Sequence, residues 1–222
     1  SKTIYLTLTL LSVIIFSFIG CKVSKKVEAP MESQAMYKLT KLWESDTVFT
    51  TVEAALYDAT TDIIYVSNME GAPWGHDGKG SIARLKSDGT TIDAKWITGL
   101  NAPKGLGIVG NKLYVTDNFA LVEIDIPTGK IIKRYEVKDC GGLNDVTTSP
   151  EGIVYFTDSQ QGAIHKLENG AVSLIIDSLK GSNGILYEKD RLLFATWGDE
   201  SLNEYRFADQ KTNIIADTLT QP

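Results

Sequence analysis

The sequence predicts an all-β chain, a β-propeller of four-stranded antiparallel blades, on three observations. A strand with a Tyr or Phe core recurs four times, its aromatic residues 49, 41 and 39 positions apart, and a period of about 40 to 50 marks propeller blades. Each copy follows, by 10 to 12 residues, a short strand that opens on a polar residue: Glu53 before Tyr65, Lys104 before Tyr114, Asn144 before Tyr155, Asn183 before Phe194. The runs are short, β-rich and bounded by Gly, Asn, Asp and Pro, without the i, i+3, i+4, i+7 apolar spacing of helical repeats.

The first repeat opens at Glu53 and carries Asp62-Ile-Ile-Tyr-Val-Ser-Asn68 as its second strand. The second reads as Lys104 to Val109, Lys112 to Asp117, Ala120 to Asp125 and Ile131 to Glu136, turned at Gly110-Asn111 and Pro127-Thr128-Gly129. The third follows as Asn144 to Thr148, Ile153 to Asp158, Ala163 to Leu167 and Val172 to Ile176. The fourth opens at Asn183, continues through Leu192-Leu-Phe-Ala-Thr-Trp197, and closes on an outer strand at Thr212 to Ile215. Four such sheets around a channel make four complete blades. Upstream, Met36-Tyr-Lys-Leu-Thr-Lys-Leu-Trp43 is expected as a further, N-terminal outer strand, standing before Glu53 as Lys130 to Tyr135 stands before Asn144. Propellers close by sharing one blade between the termini, because an open sheet edge invites pairing. Here both ends supply an outer strand, which predicts a truncated gene or a fragment.

Residues 1–20 read as a lipoprotein signal peptide: Lys2, an apolar run from Ile4 to Ile19, then Gly20 and Cys21. Phe18-Ile-Gly-Cys21 resembles a bacterial lipobox, making Cys21 the expected lipidated residue of an envelope protein, with an uncleaved signal anchor as the alternative. Residues 21–35 form a tether with three Lys and one Pro, suited to an anionic membrane surface. Residues 36–222 form the partial propeller. With Cys21 assigned to lipid, Cys140 has no disulfide partner. A formal net charge of −6 argues against nucleic acid.

If the first strand of each blade lines the channel, Glu53, Lys104, Asn144 and Asn183 converge at one mouth. One carboxylate and two amide carbonyls suit Ca²⁺ or another hard divalent cation, whereas two His without Cys partners do not suit zinc. Strand-opening Asn and Glu also cap turns, so a purely structural role stands beside the metal reading. The long Met69 to Lys79 insertion joins second and third strands and overhangs the same mouth. It brings Trp74 and His76 toward a ligand there, beside Lys104, or packs as a plain surface loop. Asp117 and Asp158 are expected to bond turn amides, and His165 to be structural. Gly105-Leu-Gly-Ile-Val-Gly110 spells G-x-G-x-x-G, yet it lies on an inner strand and opens no helix, so no nucleotide is expected.

Asn144-Asp-Val-Thr-Thr-Ser-Pro-Glu-Gly-Ile-Val-Tyr-Phe-Thr-Asp158, with Ser182-Asn-Gly184, resembles the senescence marker protein/gluconolactonase/regucalcin-like family of six-bladed propellers. The resemblance runs over Tyr37 to Pro222. It implies a channel cation on Glu53, Asn144 and Asn183, and metal-assisted opening of sugar lactones or related esters. The family's fifth-blade Asp, ligand and general base, would open the strand beyond Pro222, so the catalytic residue of this chain is unknown. A family Arg that holds substrate is Gly142 here, and the first-blade Glu-Gly-Pro is Glu53-Ala-Ala55. The resemblance therefore implies a metal site without measurable lactonase activity. The competing expectation is a noncatalytic propeller that binds a protein or glycan.

Overall fold

The computed structural model describes residues 38–45 and 47–220. The chain divides into two compact units, Ser1–Thr40 and Lys41–Pro222. Only Lys38–Thr40 of the first is described, so the signal peptide, Cys21 and the tether lie outside the described residues.

The second unit is sixteen strands in four sheets, with no helix among the described residues. The first sheet is β1 (Val52–Asp58), β2 (Ile63–Asn68), β3 (Gly80–Lys86) and β4 (Thr91–Leu100). The second is β5 (Pro103–Val109), β6 (Lys112–Asp117), β7 (Ala120–Asp125) and β8 (Lys130–Glu136). The third is β9 (Leu143–Thr148), β10 (Val154–Asp158), β11 (Ala163–Glu168) and β12 (Ala171–Ile176). The fourth is β13 (Ser182–Glu188), β14 (Arg191–Thr196), β15 (Ser201–Arg206) and β16 (Lys211–Ala216). Each sheet is antiparallel and in sequence order, because successive strands are joined by short turns.

Apolar clusters glue consecutive blades. Tyr65 and Ile82 of the first blade pack on Leu106, Leu113 and Val115 of the second. Tyr114 and Leu121 then pack on Val146, Val154 and Phe156, and Tyr155 and Ile164 on Ile185, Leu192 and Phe194. Burying a side chain of this size contributes roughly 1.5–3 kcal/mol. The expected N-terminal outer strand is corrected over its described part: Lys38–Trp43 is not a strand. Such a strand is expected to complete a blade other than the first, and each of the four described sheets already has its own outer strand. Instead Trp43 Nε1 donates to Ser87 O at 2.8 Å, and Phe49, like Ile64, packs against Val66, Ala83 and Leu85, on the blade's outward side.

One irregularity recurs in every blade. Val52 pairs with Asn68 and Ala55 with Val66, so Glu53 and Ala54 both stand opposite Ser67. In the same way Lys104 and Gly105 face Thr116, Asn144 and Asp145 face Thr157, and Asn183 and Gly184 face Ala195. Such two-for-one bulges re-aim a side chain out of the pleat. The bulges also show that the fourth copy is offset from its sequence reading. Thr196, not Trp197, occupies the place of Asp117 and Asp158, and Leu193, not Phe194, that of Tyr65, Tyr114 and Tyr155. A slip of one residue exchanges the faces of a strand, and Phe194 accordingly points back into the third blade.

Candidate functional site at the channel mouth

The bulges deliver Glu53, Lys104, Asn144 and Asn183 at one level of four neighbouring inner strands. Hydroxyls opposite the bulges fix the backbone there. Thr157 Oγ1 accepts from Asp145 N and donates to Asn183 O of the next blade, both at 2.9 Å, and Thr116 Oγ1 donates to Asn144 O. Ser67 Oγ accepts from Ala54 N at 3.0 Å within its own blade. β5 and β9 approach so closely that a Cβ on Gly105 would stand 2.5 Å from Asp145 Cα, a position open only to glycine.

The four polar residues meet different surroundings. Asn144 is 8% exposed and its Oδ1 is buried without a hydrogen-bond partner. Asn183 is half-buried and Glu53 keeps solvent contact. Crowding by protein and then the Asp145 carboxylate push the Glu53 carboxyl above its usual range, while Lys104 pulls partway back. Lys104 is 2% exposed, and loss of solvent lowers its ammonium pKa to about 8 against the opposing charges of Glu53 and Asp117. Its Nζ donates to Ala102 O at 3.0 Å and Asn118 Oδ1 at 3.3 Å.

The Met69–Lys79 insertion closes over this lysine. The Trp74 ring lies 4.1 Å from Lys104 Nζ, and the opposite wall is Gly142, where a Cβ would stand 2.5 Å from Trp74 Cζ3. The Gln160 amide, oriented to satisfy both neighbours, donates to Gly141 O at 3.0 Å and accepts from Trp74 Nε1 at 3.2 Å. Asn118 Nδ2 donates to Gly75 O at 2.5 Å. His76 is exposed and stacks on Phe119, ring centroids 4.9 Å apart, so of the two insertion residues Trp74 is the one set on Lys104.

Three residues here escaped the sequence reading. Asp145 sits at the second bulge position, which is Ala or Gly in the other blades. Its Oδ1 accepts from Val146 N at 2.8 Å and its Oδ2 from Ile185 N at 3.0 Å, bridging the third and fourth blades. Burial raises its carboxyl pKa, and the two amides oppose that. Asn118 and Gln160 sit in second-to-third-strand turns, the turns that overhang the mouth, and that connectivity was the available signal. Asp117 and Asp158 hold the preceding loops as expected: Asp117 Oδ1 accepts from Asn101 N and Ala102 N, and Asp158 accepts from Gly141 N and Gly142 N. His165 is buried against Phe156, and burial lowers its pKa. The Cys140 thiol is raised to about 11 by burial and by Asp158, which leaves it protonated and unreactive at neutral pH.

No family model and no curated protein sequence matches the chain. Solved structures do. Virginiamycin B lyase from Staphylococcus aureus, selenomethionine-substituted, has TM-score 0.59 at 15% identity, covering 77% of this chain and 57% of that one. A catalytically inactive form of that lyase with quinupristin gives 0.58 at 20% identity, over 77% and 57%. An auxiliary nutrient binding protein from Bacteroides thetaiotaomicron gives 0.59 at 11% identity, over 76% and 42%. The chain thus spans 57% of the length of the lyases it matches. At such identities the likeness reports fold alone. Together with the four sheets and their shared bulges, it makes this chain a β-propeller of four-stranded blades.

Proposed function

We propose that this chain holds a hard divalent cation, calcium foremost, at the channel mouth through Glu53, Asn144 and Asn183, and there binds a small oxygen-rich ligand of the sugar-lactone or ester class. The observation that carries the reading is Asn144 Oδ1, a buried acceptor without a protein partner, at the bulge position that holds Glu53 and Asn183 in two other blades. Buried polar atoms are almost always satisfied. Among the described residues no three His, Cys, Asp or Glu side chains form a ligand cluster; the proposed donor set is one carboxylate and two amide oxygens. That composition fits calcium and implies modest affinity.

A divalent cation bound there supplies polarisation of a ligand carbonyl. The protein groups contribute orientation rather than proton transfer. Glu53 is committed as a ligand, and both oxygens of Asp145 already accept backbone N–H groups, so neither serves as a free base. Binding without lactone turnover is the expected behaviour of this chain. A noncatalytic role toward a protein or glycan is the second reading, favoured by Trp74, which occupies the space over Lys104 and Gly142. The fold neighbours include both lyases and a nutrient binding protein.

Thermal unfolding with calcium titration tests the metal reading. A ligand at 100-fold its Kd stabilises by about 2.7 kcal/mol, so wild type is expected to gain several degrees in millimolar calcium, and Asn144→Ala or Glu53→Gln little. An unchanged wild-type Tm, or an equal gain in both variants, refutes the site. Turnover of gluconolactone above its spontaneous rate would contradict the noncatalytic part. We also infer display at the bacterial envelope through lipid on Cys21. Incorporation of a labelled fatty acid that persists in Cys21→Ser would overturn that.

A further inference from the structure

Buried charge is balanced in this molecule with one exception. Asp117 is buried and paired with Arg134 at 3.0 Å. Glu123 is buried, paired with Lys112 and bonded by Tyr135 Oη at 2.6 Å. Asp158 is buried and accepts from the backbone N–H groups of Gly141, Gly142 and Gln161. Lys104 is the one Lys or Arg buried among the described residues, and it has no such counterpart. Its ammonium carries three protons, and its acceptors are two neutral oxygens, Ala102 O and Asn118 Oδ1. The acids whose charge it feels, Glu53 and Asp117, act only through space, and Asp117 is already taken up by Arg134, Asn101 N and Ala102 N. A buried ammonium without an anion is costly to keep.

The remaining side of Lys104 Nζ meets the Trp74 ring at 4.1 Å. An indole face offsets a desolvated cation in part, whereas a carboxylate in the same place makes a charge-assisted hydrogen bond, about twice as strong as a neutral one. Trp74 is brought there by a loop and not by a strand, and residues 71–73 and 76–79 of that loop are exposed. Single contacts hold it to the neighbouring blades: Trp74 Nε1 on the Gln160 amide, Asn118 Nδ2 on Gly75 O, and His76 stacked on Phe119. All of them can break without unpacking a sheet. Breaking them also frees Asn118 Nδ2, a second donor on the residue that already accepts from Lys104 Nζ.

We propose that the place filled by the Trp74 ring is an anion subsite, and that the ligand of the channel mouth is a sugar acid whose carboxylate displaces the ring and accepts from Lys104 Nζ and Asn118 Nδ2. One buried positive charge matches one carboxylate, and the hydroxyl-rich remainder of such a ligand suits the mouth that Glu53, Asn144 and Asn183 line. The inference rests on the reading of the mouth as a site for small oxygen-rich ligands, and it adds the ligand's charge. Trp74 is then a built-in competitor, and the free energy of displacing it is subtracted from that of binding.

The test is isothermal titration calorimetry of the full chain in mild detergent with D-glucuronate and D-glucose, which differ only in that a carboxylate replaces the hydroxymethyl group, in calcium and again in EDTA. The expected result is a preference for glucuronate of at least about tenfold, lost in Lys104→Met. Trp74→Ala, which lacks the competitor, should bind glucuronate about threefold tighter or more than wild type does. Circular dichroism checks both variants, and should Lys104→Met not fold, Lys104→Gln and the Trp74→Ala comparison decide. Equal affinity for the two sugars, a preference that survives loss of the lysine, or no gain in Trp74→Ala overturns the proposal. So does absence of glucuronate binding to both wild type and Trp74→Ala. The cation is read separately: a lysine-dependent preference that persists in EDTA, with no calcium-induced rise in Tm, sustains the anion subsite and refutes the cation. A calcium-induced rise without any preference does the reverse.

Discussion

Replacing Gly142 by alanine adds one methyl group to a place where the nearest atoms belong to the Trp74 ring, at 2.5 Å from Cζ3 and 2.9 Å from Cε3 and Cη2. Ordinary carbon contacts need about 3.5 Å or more, so the ring must withdraw by roughly 1 Å. Withdrawal forfeits the stacking over Lys104 Nζ, about 1–2 kcal/mol for a desolvated cation, and the hydrogen bond to Gln160, about 1 kcal/mol net. Hydration of the uncovered lysine returns part of this. A loss of about 2 kcal/mol follows, and at about 2–4 °C per kcal/mol for a domain of this size the Tm should fall by about 4–8 °C. Differential scanning calorimetry of four proteins checks it: wild type, Gly142→Ala, Trp74→Ala and the double variant. In the Trp74→Ala background the alanine should cost less than about 0.5 kcal/mol, because the three nearest atoms all belong to that ring. A fall under about 1 °C in wild type, or the same fall in both backgrounds, would show that the ring does not rest on Gly142.

The remaining expectations concern the buried lysine and the inter-blade hydroxyls. Lys104 titrates near 8 in the folded chain and near 10.4 when unfolded. Its folded pKa is depressed, so its stabilising contribution is complete above the unfolded value and is lost as pH falls through about 8. Unfolding free energy should therefore rise from pH 8 to 10.5 by at most about 3 kcal/mol from this group. Lys104→Met should flatten that rise, and parallel curves for variant and wild type would sink the assignment. Thr157→Val leaves Asp145 N and Asn183 O without their hydroxyl and should cost about 2–3 kcal/mol in urea unfolding. Ser67→Ala, whose bonds stay inside one blade, should cost about 1 kcal/mol, and a reversed order would refute the tie between blades.

The second and third repeats were legible almost to the residue, because their short apolar runs are bounded by turns that carry Gly, Asn and Pro. Predicted Lys112–Asp117 and Ala120–Asp125 coincide with β6 and β7. The fourth copy was misaligned because the aromatic residue that marks the other copies is Leu193 here and Phe194 stands one position later on the opposite face, which only the pairing reveals. Met36–Trp43 stands before Glu53 where an outer strand of a preceding blade would stand, but position in the chain does not reveal whether a sheet is there for it to join, and Lys38–Trp43 is not a strand. At the site, residue types and spacing singled out Glu53, Lys104, Asn144 and Asn183. The backbone bulge that aims them left no mark of its own. Asp145 was hidden for the same reason: only the pairing shows that two residues share one partner, and only folding brings its carboxylate to Ile185 N.

The recurring two-for-one irregularity has a consequence for how such a scaffold can change. Elsewhere in a strand, exchanging a side chain trades a core atom for a solvated one or the reverse, and the sheet resists. At the first position of each irregularity the chain steps outside that alternation, so Glu, Lys, Asn and Asn occupy four copies of one address while the apolar layers beneath them stay the same. The molecule therefore carries a row of equivalent positions, one per blade, whose side chains can differ while the backbone that presents them stays the same.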